Sequence, residues 1–288
     1  MNRRRFLTIT AAALCTSPAA ANPAIWKGRA LGADAQIALV GLPENRAALL
    51  WPKIEALIDL IEADFSLFRD STLTRLNQTG YIANTTRAFQ TVVATSDRVN
   101  KATGGMFDPS VQPLWLATAQ GRDLNAARAL VGWNKVKWSE TDIRLAPDMA
   151  LTFNGIAQGF AADSIAEFLY GKGYHNVLVD MGEVMALGDH GADPWRVAIA
   201  GPQGNRLGEA LLQNRALATS SPRGTVIGAD APHIINPHGP APLWNTVSVS
   251  APSAAVADAL STAFCLMDRP AIDAALAQTP NTRLEHIS

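Results

Sequence analysis

The sequence predicts a mixed α/β (α+β) fold. Long segments repeat apolar residues at helical spacing, short apolar segments read as strands, and the two kinds mix without the regular βαβ alternation of a doubly wound sheet. At 288 residues the chain is long enough to bury a substantial core, in one large domain or two intimate subdomains.

The first residues predict an address rather than a structural element. Arg3-Arg4-Arg5-Phe6-Leu7 is a twin-arginine pattern, followed by the apolar stretch from Ile9 to Leu14 and the small residues Ala19-Ala20-Ala21. This predicts a cleaved signal over 1–21, a mature domain over 22–288 and a periplasmic location. Three arginines also suit the general secretory route, which stays the alternative. Leu14 precedes Cys15, where a lipoprotein site would want a small residue. Cys15 is therefore expected to leave with the signal, and Cys265 remains as a lone thiol in an apolar run, read as a small core residue.

The elements follow in order. Residues from Ala35 to Val40 alternate weakly, as a first strand. From Ala47 to Phe65 a helix is predicted, with Leu50, Ile54, Leu57, Ile58 and Ile61 on one face. A second helix, from Ala88 to Ala102, presents Phe89, Val92, Val93, Ser96 and Val99, and Gly104-Gly105 stops it. Short strands are predicted over Lys135 to Trp138 and Ile143 to Ala146, then a helix from Ala157 to Tyr170. Asn176 to Val179 is nearly all apolar, which predicts a strand covered on both faces. Arg196 to Ile199 and Thr246 to Ser250 are further strands, and Ala257 to Met267 a last helix.

A net charge of −1 offers no basic face for nucleic acid. No apolar run after the signal approaches the length of a membrane span, so the mature chain is not expected to be transmembrane. The five histidines show no zinc spacing.

Chemistry is sought in the loops. In Asn154-Gly155-Ile156-Ala157-Gln158-Gly159, glycines allow close backbone approach, and the helix that follows offers N–H groups to an anion. Neither a dinucleotide fingerprint nor a Walker loop is present, and on its own the segment reads better as a plain strand-to-helix turn. Asp258 and Thr262 lie four apart, on one side of a helix. A carboxylate and a hydroxyl there suit Mg²⁺, although a solvated Asp beside an unrelated Thr has the same spacing. His233 precedes an apolar segment and a turn, a place where a lone histidine is more often structural than catalytic.

In combination and in this order, several segments resemble the flavin transferase family. These are the thiamine-biosynthesis-lipoprotein-like FAD:protein FMN transferases, also called the ApbE family. The segments are Phe65 to Asn77, Thr103-Gly104-Gly105-Met106-Phe107-Asp108-Pro109, Gly155 to Asp163, Met181-Gly182-Glu183 with Gly188, Ala218-Thr219-Ser220, His233 to Pro237, and Ala257 to Thr262. The resemblance runs from about Gly28 to Ala263. It implies a single compact domain of two intimately packed subdomains.

The resemblance also implies contacts to FAD at Leu31, Phe68, Met106, Phe107, Asp108, Gln158 and His233. It implies that Mg²⁺ is held by the carbonyl of Gly155 with the side chains of Asp258 and Thr262. The implied reaction is Mg²⁺-dependent transfer of FMN from FAD to a Thr or Ser hydroxyl of an exported or membrane-anchored FMN-binding flavoprotein, releasing AMP. His233 is the expected base, because an imidazole titrates near neutrality. The chain departs from the family's usual residues at Thr152, where Asp is common, at Gln158, where Lys or Glu is common, and at Glu183 and Ser221, where glycines stand. Competing readings are an FAD-binding protein or maturation factor without transfer, a Mg²⁺-dependent FAD pyrophosphatase, and a periplasmic solute-binding protein.

Overall fold

The computed structural model describes residues 23–288; the expected signal over 1–21, with Cys15, lies outside the described residues. The described chain opens on a hairpin of β1 (Ala24–Ala30) and β2 (Ala33–Leu39). It continues through α1 (Glu44–Ala47), α2 (Trp51–Phe65), α3 (Thr72–Thr79), β3 (Tyr81–Ala83) and α4 (Arg87–Ala102). A helical pair follows, α5 (Gln112–Gln120) and α6 (Leu124–Ala129), then the short strands β4 (Lys137–Trp138) and β5 (Asp142–Arg144). After α7 (Ala157–Gly171) come β6 (Val177–Asp180), β7 (Val184–Leu187), β8 (Trp195–Ala200), β9 (Arg206–Leu212) and β10 (Arg215–Ser220). The chain closes with β11 (Val226–Ile227), β12 (Ala231–Pro232), β13 (Val247–Ala251), α8 (Ala254–Phe264), α9 (Arg269–Gln278) and β14 (Arg283–Ile287).

A seven-stranded sheet in the order β1-β2-β6-β7-β10-β13-β14 forms the frame, every neighbouring pair antiparallel. Side chains alternate across it with period two. Ile37, Val177, Val179, Met185, Ala216 and Ala218 join the main core with α2, α4, α7 and α8. Ala38, Leu178, Val184, Ala186 and Leu217 point the other way, onto Trp195, Val197, Ile199, Ala210 and Leu212 of the β8–β9 hairpin. That double cover explains the apolar run at β6, which reads like a parallel strand although it is antiparallel. A third, small core of Leu114, Ala117, Ala127 and Val131 belongs to α5 and α6 and reaches Ile235. One domain results, with the α5–α6 pair as its lesser part.

Several expected boundaries move. The strand expected first is the second strand of the hairpin, β1 having preceded it. The helix expected over Ala47 to Phe65 is interrupted, because Pro52 belongs in a first helical turn and α2 starts at Trp51. The last of the expected helices starts at Ala254 instead of Ala257. Ser253 caps it by accepting the N–H of Val256, and the Asp163 carboxylate accepts those of Ala254 and Ala255. Asp258 thereby moves from the first turn to the second. Between α7 and α8 there is no room for a side chain: a Cβ on Gly159 would lie 2.3 Å from the carbonyl oxygen of Ala254.

Candidate active site

A cavity of ≈ 270 Å³ opens where the start of α7, the end of β10, α8, α5 and the turn after α4 meet. One end is polar. Gly155 is seated against Thr262, since a Cβ there would stand 3.0 Å from the Thr262 hydroxyl oxygen and 3.5 Å from the Phe107 ring. Asp258 is buried, and its Oδ2 accepts the backbone N–H of Gly159 at 3.2 Å. Glu183, also buried, accepts the N–H of Thr219 at 3.1 Å through Oε2. Ser220, Ser221 and Thr219 complete this end.

The two carboxyls feel their burial. Desolvation pushes Asp258 up to about 7, against the pull of the Gly159 N–H, and the charge of Asp163 adds to the rise. Desolvation also holds Glu183 well above the usual carboxylate range, with the charge of Asp258 as the next cause. No lysine or arginine is among the described residues that line the cavity. Two acidic groups without a resident cation suit a cationic guest. The donors on offer are carboxylate, hydroxyl and main-chain carbonyl, hard oxygens of the kind Mg²⁺ takes, so the residues present fit that ion.

The rest of the lining is largely apolar: Val111, Trp115 and Leu116, from α5 and the turn before it, with Ile234, Ile235, Pro237, Met106 and Phe107. The loop is tied down from below. Trp115 donates its indole N–H to the carbonyl of His233 at 3.1 Å, and Arg128 donates to the carbonyls of Asn236 and Pro237 at 2.9 and 3.0 Å. A flat ring on the apolar part and a phosphate with its cation on the polar part would both be suited.

Of the residues predicted for the site, Phe68, Met106, Phe107, Asp108, Gly155, Gln158, His233, Asp258 and Thr262 all line the cavity. Phe68 is 68% exposed. Gln158 is packed so closely on Gly182 that a Cβ there would stand 2.6 Å from its Nε2, and Gly182 has φ +97°, a conformation open to glycine. His233 places Nδ1 2.9 Å from the carbonyl oxygen of Pro222 and 3.2 Å from that of Thr225. Carbonyls only accept, so Nδ1 carries the proton and Nε2 keeps its lone pair. Burial lowers the pKa of this imidazole, and the two carbonyls offset part of the fall.

Other positions differ from expectation. Leu31 is not part of the cavity wall; it sits at the β1–β2 turn with φ 49°, its N–H given to Glu62, and Ala33 reaches the cavity instead. Asp108 has its carboxylate committed inside the protein, accepting from the N–H and hydroxyl of Ser110 and from the N–H of Trp133. The start of α7 is also less open to an anion than glycine spacing suggests. Phe153 takes the N–H groups of Ile156 and Ala157, and Asp258 takes that of Gly159.

Comparison with known proteins gives the family. A family profile described as the ApbE family matches residues 31–286. The chain belongs to the ApbE family. Within it, a Haemophilus influenzae protein named FAD:protein FMN transferase is 31% identical over 257 residues, 77% of this chain and 74% of its own. A Vibrio cholerae protein of the same name is 29% identical over 245 residues, 76% of this chain and 73% of its own. Among solved structures, the flavin transferase ApbE from Vibrio cholerae superposes with a TM-score of 0.77 at 23% identity, covering 92% of this chain and 97% of that one. The apo flavinyl transferase ApbE of Pseudomonas stutzeri gives 0.76 at 23% identity, covering 91% and 89%. At that identity the structures speak for the shared fold. In this ApbE-family chain the segment His233 to Pro237 was singled out from the sequence, whereas the α5 residues of the cavity lining were missed; the mostly apolar 111–116 was their signal.

Proposed function

We propose that this chain transfers FMN from FAD to a hydroxyl group of another protein. The observation that carries the reading is a single cavity lined both by the apolar side chains of Trp115, Ile234 and Ile235 and by the oxygen donors Asp258, Thr262 and Gly155. Membership of a family whose relatives are named FAD:protein FMN transferase supports it. The flavin ring would lie along the apolar wall beside Met106 and Phe107, with Gln158 able to donate an amide N–H to a flavin carbonyl. Gly155, Asp258 and Thr262 would hold Mg²⁺, which when bound neutralises phosphate charge in the transition state.

The acceptor hydroxyl attacks the FMN-side phosphorus, its oxygen–phosphorus bond forms, and the bond to AMP breaks. His233 takes the hydroxyl proton at Nε2, the nitrogen left free by the Nδ1–carbonyl bonds. The remaining contribution is positioning, in which the pinned 233–237 loop holds base and ring wall together. We further propose that the chain works in the periplasm after twin-arginine export, on an exported or membrane-anchored flavoprotein. The signal-like pattern of 1–21 supports this, and among the described residues no helix is long and apolar enough to cross a membrane.

The test is the intact mass of an FMN-binding domain incubated with the protein, FAD and Mg²⁺. A gain of one FMN less water, lost without metal and in Asp258→Ala, is expected. FAD bound but left whole would favour a flavin-binding protein without transfer.

A further inference from the structure

Three hydroxyls stand in series beside the cavity, whose lining includes two of them, Ser220 and Thr262. Ser261, on α8, donates to the main-chain carbonyl of Asp258 at 3.0 Å. Ser220, the last residue of β10, has its oxygen 2.8 Å from that of Ser261 and 3.3 Å from that of Thr262. Distance alone leaves the direction of the last two bonds open, but counting protons closes it. Each hydroxyl has one proton. A carbonyl has none, so the Ser261 proton is spent on Asp258 and Ser261 must accept from Ser220. The Ser220 proton is spent in turn, so Ser220 must accept from Thr262. The Thr262 proton is thereby drawn toward the strand, leaving its oxygen to the cavity as an acceptor.

We infer that Ser220 and Ser261 are positioning residues that order the Thr262 hydroxyl, so that it offers a divalent cation lone pairs and no proton. The inference rests on the cation site proposed above. An unordered Thr262 could turn its proton toward Asp258 or the Gly155 carbonyl, the same oxygens the cation needs. Ser220 and Ser261 are both buried, and α8 packs directly on β10, so the relay is held by the frame of the fold. Cys265 lies at the same junction, its thiol 3.3 Å from the main-chain carbonyl oxygen of Ser261 and 3.6 Å from that of Ser220, with one proton to give.

The experiment titrates Mn²⁺ into the purified protein without FAD and follows free Mn²⁺ by electron paramagnetic resonance. Ser220→Ala and Ser261→Ala should each weaken Mn²⁺ binding by about tenfold, the usual cost of removing an outer partner of a metal ligand. Thr262→Val should weaken it at least as much, and Ser220→Ala in the Thr262→Val background should add nothing further. Melting curves of the metal-free variants show that each is folded. Ser220→Ala binding Mn²⁺ within twofold of the unaltered protein, or an additive loss in the double variant, would overturn the relay. If the unaltered protein binds Mn²⁺ no better than Asp258→Ala does, the cation site fails and the relay with it.

Discussion

His233 shows how one residue's role follows from its partners. With Nδ1 held by two carbonyls and the ring buried, the imidazole stays neutral to a lower pH than in water. His233→Gln keeps a donor for those carbonyls but no basic nitrogen, so FAD affinity should persist while transfer slows by at least about tenfold. At saturating Mg²⁺, which would keep Asp258 ionised, the pH profile of the unaltered protein should stay level down past the ordinary imidazole value near 6.5 and fall only below it. Asp180 gives a second residue-scale test. Burial raises it to about 7, and only the Gly182 N–H offsets this. Between the unfolded value near 3.8 and about 7 the folded chain holds this proton and the unfolded chain does not, so its contribution to stability is lost as pH rises through that window. Asp180→Asn keeps the acceptor for Gly182 and removes the cost of ionising. It should raise Tm by a few degrees at pH 8, with the gain shrinking toward pH 4.

At the scale of elements, the meeting of α7 and α8 fixes the polar end. Gly159 lets the helices close to the point where Asp258 can reach the start of α7. Gly159→Ala places a methyl group against main chain rather than a flexible side chain, so it should destabilise by about 2–3 kcal/mol or fail to fold, as a thermal melt would show. α5 supplies part of the apolar lining of the same cavity. Trp115→Ala should weaken FAD binding on the order of tenfold in a titration and leave Mn²⁺ affinity unchanged, because α5 supplies none of the proposed cation ligands. The long helices were legible in the sequence because α2 and α4 each bury one continuous apolar stripe, and the predicted faces of both are the ones that pack inward. α3 carried a signal that went unused, the capping pair Ser71 and Thr74 with Gly80 behind the helix. α5 and α6 were less legible, since their small core is completed by Ile235 from more than a hundred residues away.

For the whole molecule, the expectation of a mixed fold holds, but the sheet is wholly antiparallel and its order brings strands far apart in sequence side by side. Such pairing has no local signature. β6 was recognisable because both of its faces are covered, whereas β9 alternates with an exposed face and β14 is an edge strand, and neither was seen. Most of the cavity's polar residues lie in short glycine- or serine-rich segments and were legible as an ordered set. The commitment of Asp108 to Ser110 and Trp133, and of the α7 N–H groups to Phe153 and Asp258, was not legible, because both depend on partners that only folding supplies. Splitting FAD and delivering FMN to a protein hydroxyl is the activity proposed for this cavity. Its most direct test counts products in one incubation with FAD, Mg²⁺ and an FMN-binding acceptor. One AMP released for each acceptor carrying FMN, with little AMP when the acceptor's hydroxyl residue is replaced by Ala, is the expected result. AMP and free FMN formed at the same rate without an acceptor would contradict the claim and make the chain a hydrolase of FAD.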